Sequence, residues 1–149
     1  MYKQTVYRFL SQKEFDCWQL GDKSGISSPC HLNELPAGNM HKYKEGVKYV
    51  HFFESLLDAP TILQIMDMGS DHLCKFKIDI EVLEKYQGYG KYIDMDGEFA
   101  LLTEYAIPLD EVDPSSLYEY RIVKNENDVK YLDDDSAGWQ KIQNKEIEL

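Results

Sequence analysis

The segment from Val47 to Phe53 (VKYVHFF) carries so many β-branched and aromatic side chains that it reads as a strand covered on both faces. A strand of that kind needs a sheet with further layers packed against it, so the chain cannot be a plain helical bundle. An aromatic content of 13%, with 11 tyrosines, suits half-buried pleated surfaces and pocket walls. The 149 residues, 43% of them hydrophobic, are enough to bury one core without disulfides or metal.

Other elements follow from local signals. Thr5 to Leu10 reads as a strand, and Ser11 with Glu14 three residues later forms a capping box that opens a helix through Leu20, stopped by Gly21. Asp22 to Met40 lacks periodicity and is expected to be a long irregular connection, a lid or pocket rim. Ser55 or Asp58 caps a helix running to about Met68, the later cap placing Pro60 in the first turn, with Gly69 closing it. Leu73 to Ile80 alternates as a strand with one wet face, carrying Lys75 and Lys77. A helical turn then runs to Gly88, and Gly88-Tyr89-Gly90 is expected to be a helix cap and turn. Glu98 to Ile107 is a strand ended by Pro108, Asp113-Pro114-Ser115-Ser116 a capped single turn, and Leu117 to Lys124 the last strand. The expected fold class is α+β, with mixed, mostly antiparallel sheets and short peripheral helices. Residues 1–124 form one domain, and the polar residues 125–149 form an acidic, loosely packed tail.

With 16 Lys and Arg against 27 Asp and Glu, the formal charge is -11, a field that repels phosphate backbones and anionic membrane surfaces. Stable nucleic-acid binding is disfavoured, and a basic protein is the natural macromolecular partner. Cys17, Cys30 and Cys74 are an odd, widely spaced set that suits a reducing compartment. No run approaches the roughly 20 apolar residues of a membrane span, and Met1 to Thr5 leads into a strand without a signal-peptide core, so a cytoplasmic location is expected.

Glycine-rich phosphate loops, a serine nucleophile elbow and metal-ligand spacing are all absent: His31, His41, His51 and His72 lie far apart in the chain, so no metal is expected. Three polar residues stand out because they interrupt apolar strands: Arg8 in VYRFL, His51 in YVHFF and Glu104 in ALLTEYAIP. A charge in such a place must face water, find a partner or line a pocket. Glu104 shares its strand face with Ala100, Leu102 and Ala106, either as a rim carboxylate near Arg8 or as a catalytic group. Arg8 has the matching pair of readings, structural partner or ligand clamp. Phe52 and Phe53 read as core, Tyr49 needs a partner for its hydroxyl, and Ser55 is first a cap.

In chain order, Tyr7-Arg8, then YVHFFES followed by Asp58-Ala59, then LLTEYAIP resembles the ADP-ribosyltransferase superfamily across the first 124 residues. The resemblance implies that family's fold, with NAD as substrate. It implies that Arg8 clamps NAD, that Tyr49 and Phe53 sandwich the nicotinamide with Ser55 beside them, and that Glu104 is catalytic. The activity implied is ADP-ribosyl transfer or NAD glycohydrolysis. Leu102 stands where many protein-modifying members carry Glu or Gln, and Phe53-Glu54-Ser55 where Ser-Thr-Ser would be expected. These differences point to another acceptor, or to a non-catalytic protein-interaction module on the same scaffold.

Overall fold

A computed structural model of the chain describes residues 2–23, 35–38, 43–65, 70–94 and 96–142. Seven strands form one sheet: β1 (Lys3–Leu10), β2 (Tyr49–Phe53), β3 (His72–Asp79), β4 (Gln87–Ile93), β5 (Phe99–Pro108), β6 (Leu117–Ile122) and β7 (Gln140–Lys141). Their order across the sheet is β4-β5-β2-β1-β3-β6-β7, and every neighbouring pair is antiparallel. Three short helices lie against it, α1 (Gln12–Gln19), α2 (Ala59–Ile65) and α3 (Ile80–Tyr86). The class is α+β, as the sequence led one to expect.

Strand pleating sorts the core into two layers. On the first face Val6, Leu10, Val50, Phe52, Cys74, Phe76, Tyr105 and Ile107 meet Phe15 and Trp18 of α1 and Leu83 and Tyr86 of α3. On the second face Tyr7, Phe9, Phe53, Leu73 and Leu102 meet Ala59 and Ile62 of α2, together with Val129 and Leu132. The doubly covered strand at VKYVHFF is therefore real, though it begins at Tyr49.

The capping box of α1 forms as its spacing predicts: Glu14 donates its backbone N–H to the Ser11 hydroxyl and accepts from the Ser11 N–H. Ser55 caps a 3₁₀ turn, Leu56–Asp58, that runs directly into α2, so the earlier of the two caps is the one used. Asp113 caps the 3₁₀ turn Pro114–Ser116. The end of the helix expected to reach Met68 and most of the Asp22 to Met40 connection lie outside the described residues.

Three expectations need correction. Gly88-Tyr89-Gly90 does not end a helix as a turn; it belongs to β4, fully paired with β5, because the alternating glycines let Pro36, Ala37 and Glu104 crowd against that strand. Strand β3 has no continuous wet face. Lys75 is only 2% exposed, because β3 lies inside the sheet and residues beyond 125 cover it. Nor are residues 125–142 loosely attached: Val129 and Leu132 are buried in the second core layer. Tyr7 donates to Asp134 at 2.7 Å, while Lys75 donates to Glu119 at 3.0 Å and lies 4.1 Å from the Trp139 ring centre. A buried ammonium demands such partners, and the acidic segment supplies them.

Candidate functional site

Across β5, pleating turns Leu102 and Glu104 to the second face, beside Phe53 of β2, which stands directly opposite Glu104. On its other side Glu104 is opposite Gly88 of β4, and Gly90 lies one pleat further along. A Cβ on Gly90 would stand 2.8 Å from Glu104 Oε1 and 2.7 Å from Cε2 of Tyr92. The Glu104 carboxylate and the Tyr92 ring thus occupy the space that a side chain at position 90 would take. A Cβ on Gly88 would meet Pro36 at 2.6 Å and the Ala37 carbonyl at 2.7 Å, so the second glycine lets the segment 35–38 close over the strand, joined by paired hydrogen bonds between Ala37 and Tyr89.

Glu104 is 9% exposed and has no hydrogen bond or ion pair among the described residues. Burial alone raises its carboxyl from 4.5 to about 7, so near neutrality it holds a proton about half the time. The Tyr43 phenol lies close enough for its own pKa to be raised to about 12, chiefly by burial and in part by Tyr49 and Glu104. A buried acid poised near neutral pH, lying over the backbone of Gly90 beside the Tyr92 ring, has the attributes of a working carboxylate.

The other sequence-predicted residues are placed as follows. Arg8 is on the first face with Val6 and Leu10, opposite to Glu104; its Nη1 donates to the His51 carbonyl at 3.0 Å and its Nη2 lies 3.6 Å from Glu14 of α1. Among the described residues β1 and β2 are registered at the single pair Tyr7 and Phe53, and the guanidinium bonds to β2 one step beyond, where the ladder lapses. Phe53 lies 5.7 Å from the Tyr7 ring and 5.8 Å from Phe9, within the core. Tyr49 accepts from the Lys44 N–H at 2.9 Å and meets Tyr43 edge-on at 5.1 Å. Ser55 is engaged as a cap. Only Phe53 directly adjoins Glu104, and no Arg8–Glu104 pair forms.

No family model, curated protein or solved structure matches this chain. The site is therefore read from its own chemistry. Tyr43, Gly90 and Tyr92 escaped sequence reasoning. Gly88, Gly90 and Tyr92 recur at every second position, a signal for one sparsely filled strand face, but the glycines read more simply as a turn.

Two further places lie apart from Glu104, and of them only His51 stands out in the sequence. His51 is half-buried, its imidazole is lowered to about 4 by burial and the nearby Arg8 charge, and its buried Nε2 has no hydrogen-bond partner among the described residues. A pocket of about 370 Å³ is lined by Lys23, Val47, Lys48, Leu109 and Asp110, none of them a sequence-predicted site residue. Among the described residues no group of three or more His, Cys, Asp or Glu could hold a metal, and no helix is long and apolar enough to cross a membrane.

Proposed function

We propose that this chain consumes NAD through Glu104, as an ADP-ribosyltransferase or NAD glycohydrolase on an ADP-ribosyltransferase-like fold. The observation carrying this reading is the buried carboxylate of Glu104, which lies over Gly90 with no hydrogen bond or ion pair among the described residues. The order of Arg8 on β1, the Tyr49 to Ser55 segment on and just after β2, and Glu104 on β5 agrees with the resemblance in the sequence.

In this reaction the ribose C1′–nitrogen bond breaks and nicotinamide leaves with the electron pair. The sugar is left as an oxocarbenium-like cation. Ionised Glu104 stabilises that charge most strongly at the moment it develops, in a site where little water competes. A water or acceptor lone pair then forms the new bond to C1′ and releases its proton. Tyr92, whose ring shares the space over Gly90 with the carboxylate, is the ring that would orient the leaving base. Arg8 acts through the sheet, holding β2 in place where the β1 ladder lapses.

The test is thermal unfolding with NAD, followed by turnover. NAD at about 100 times its dissociation constant should stabilise the folded chain by roughly 2.7 kcal/mol. Glu104→Gln should keep that stabilisation and lose nicotinamide release. Unchanged turnover in the variant would remove Glu104 from the reaction, and absence of any NAD-dependent shift would overturn the proposal.

A further inference from the structure

Strands β4 and β5 pair as a hairpin, and toward its tip the face turned away from Glu104 exposes large apolar side chains. Phe99 is 86% exposed, Leu101 64% and Ile93 58%, with Ile93 directly opposite Phe99. Tyr89 continues the same face inward. Phe99, Leu101 and Ile93 at neighbouring positions form an exposed apolar patch, with the exposed Lys91 directly opposite Leu101 separating it from Tyr89, and a patch of this kind marks a protein contact.

Carboxylates border it at both ends. At the tip stand the exposed Asp96 and Glu98, in a turn fixed by Asp94, whose Oδ1 accepts the N–H groups of both residues at 2.9 Å. At the inner end Glu54 accepts from the Tyr105 hydroxyl at 2.6 Å, which holds it on this face. The turn is closed further by Gly97 at φ 81, so the surface is organised before any partner arrives.

We propose that this hairpin face is a docking surface for a basic protein segment that presents apolar anchors between Lys or Arg side chains. The apolar centre would take the anchors and the carboxylate rim the cations. A second copy of this chain is disfavoured by the same charges, since each carries -11 overall and the rims would face one another. The surface lies on the opposite side of the sheet from Glu104, so it stands independently of NAD chemistry.

The probe is a synthetic amphipathic peptide alternating Leu with Lys, titrated against the full chain by fluorescence anisotropy. A peptide with Glu in place of Lys and one with Ser in place of Leu serve as references. The Lys/Leu peptide should bind more tightly than either reference. Phe99→Ser with Leu101→Ser should weaken it about tenfold or more, with no loss of melting temperature, because both side chains are exposed. Asp96→Asn with Glu98→Gln should reduce the salt dependence of binding, and Glu104→Gln should change nothing. Equal binding to wild type and the Phe99/Leu101 variant would overturn the proposal. So would a Ser or Glu peptide that binds equally well, or wild-type self-association, seen by sedimentation, that the Phe99/Leu101 variant abolishes.

Discussion

Glu104 and Lys75 show how differently one fold treats two buried charges. Lys75 is given Glu119, Asp134 and the Trp139 ring, whereas Glu104 has no such partner among the described residues. The consequence for stability has a definite sign. A carboxyl at about 7 in the folded chain, against an ordinary 4.5, keeps its proton between those values while the unfolded chain has released it. The penalty is therefore absent below about pH 4.5, grows as pH rises, and is complete above about 7, reaching up to about 3 kcal/mol. Glu104→Gln should make the protein more stable than wild type at pH 8 and no more stable at pH 4, as followed by urea unfolding. A residue kept ionisable at the expense of stability is the pattern of a functional site, and a Gln variant less stable at pH 8 would point to a structural carboxylate. If Glu104 also serves the proposed reaction in its ionised form, turnover should rise through about pH 7.

At the scale of elements, the two glycines of β4 let Pro36, Ala37, Tyr92 and Glu104 pack directly on its backbone. Gly90→Ala is expected to push against Glu104 and Tyr92 at once, costing about 1–3 kcal/mol and displacing the carboxylate. A matched substitution at Gly97 in the hairpin turn makes a useful reference, since its Cβ would meet nothing within 4 Å although its φ of 81 strains any other residue. Calorimetry on both variants, with nicotinamide release as the second readout, separates a crowded site from a strained turn. Loss of activity at Gly97→Ala with Gly90→Ala unaffected would contradict this account of Gly90. The helices were readable because their signals are local: the Ser11 box and the Asp113 cap lie within three residues of the groups they bind. The face of β3 was not, since whether Lys75 meets water depends on a segment 59 residues later in the chain, at Asp134.

For the molecule as a whole, residues 125–142 complete the second core layer. Removing residues 125–149 should uncover Tyr7, Phe9 and Leu73 and strand the Lys75 ammonium without two of its partners. The truncated protein should lose at least about 4 kcal/mol, and Leu132→Ala alone about 2–3 kcal/mol, measured by chemical denaturation. Undiminished stability on truncation would mean that this segment is only draped on the body. The long irregular connection anticipated from Asp22 to Met40 is described at both ends of its span only in part, by residues 22–23 and by 35–38 against β4.

From the sequence alone came the α+β class, the central buried strand, the helix caps, the acidic charge and the choice of Glu104 as the residue to watch. Each follows from pleat period, propensity or a hydrogen bond between near neighbours, all of which act over a few residues. Which face of the sheet each strand turns to its neighbours was decided only by tertiary structure. Register set Arg8 and Glu104 back to back, paired Phe53 with Glu104, and brought Gly90 and Tyr92 of β4 beside the carboxylate. A shift of one residue in pairing exchanges the two faces, so the membership of a site built across three strands is a property of the assembled sheet.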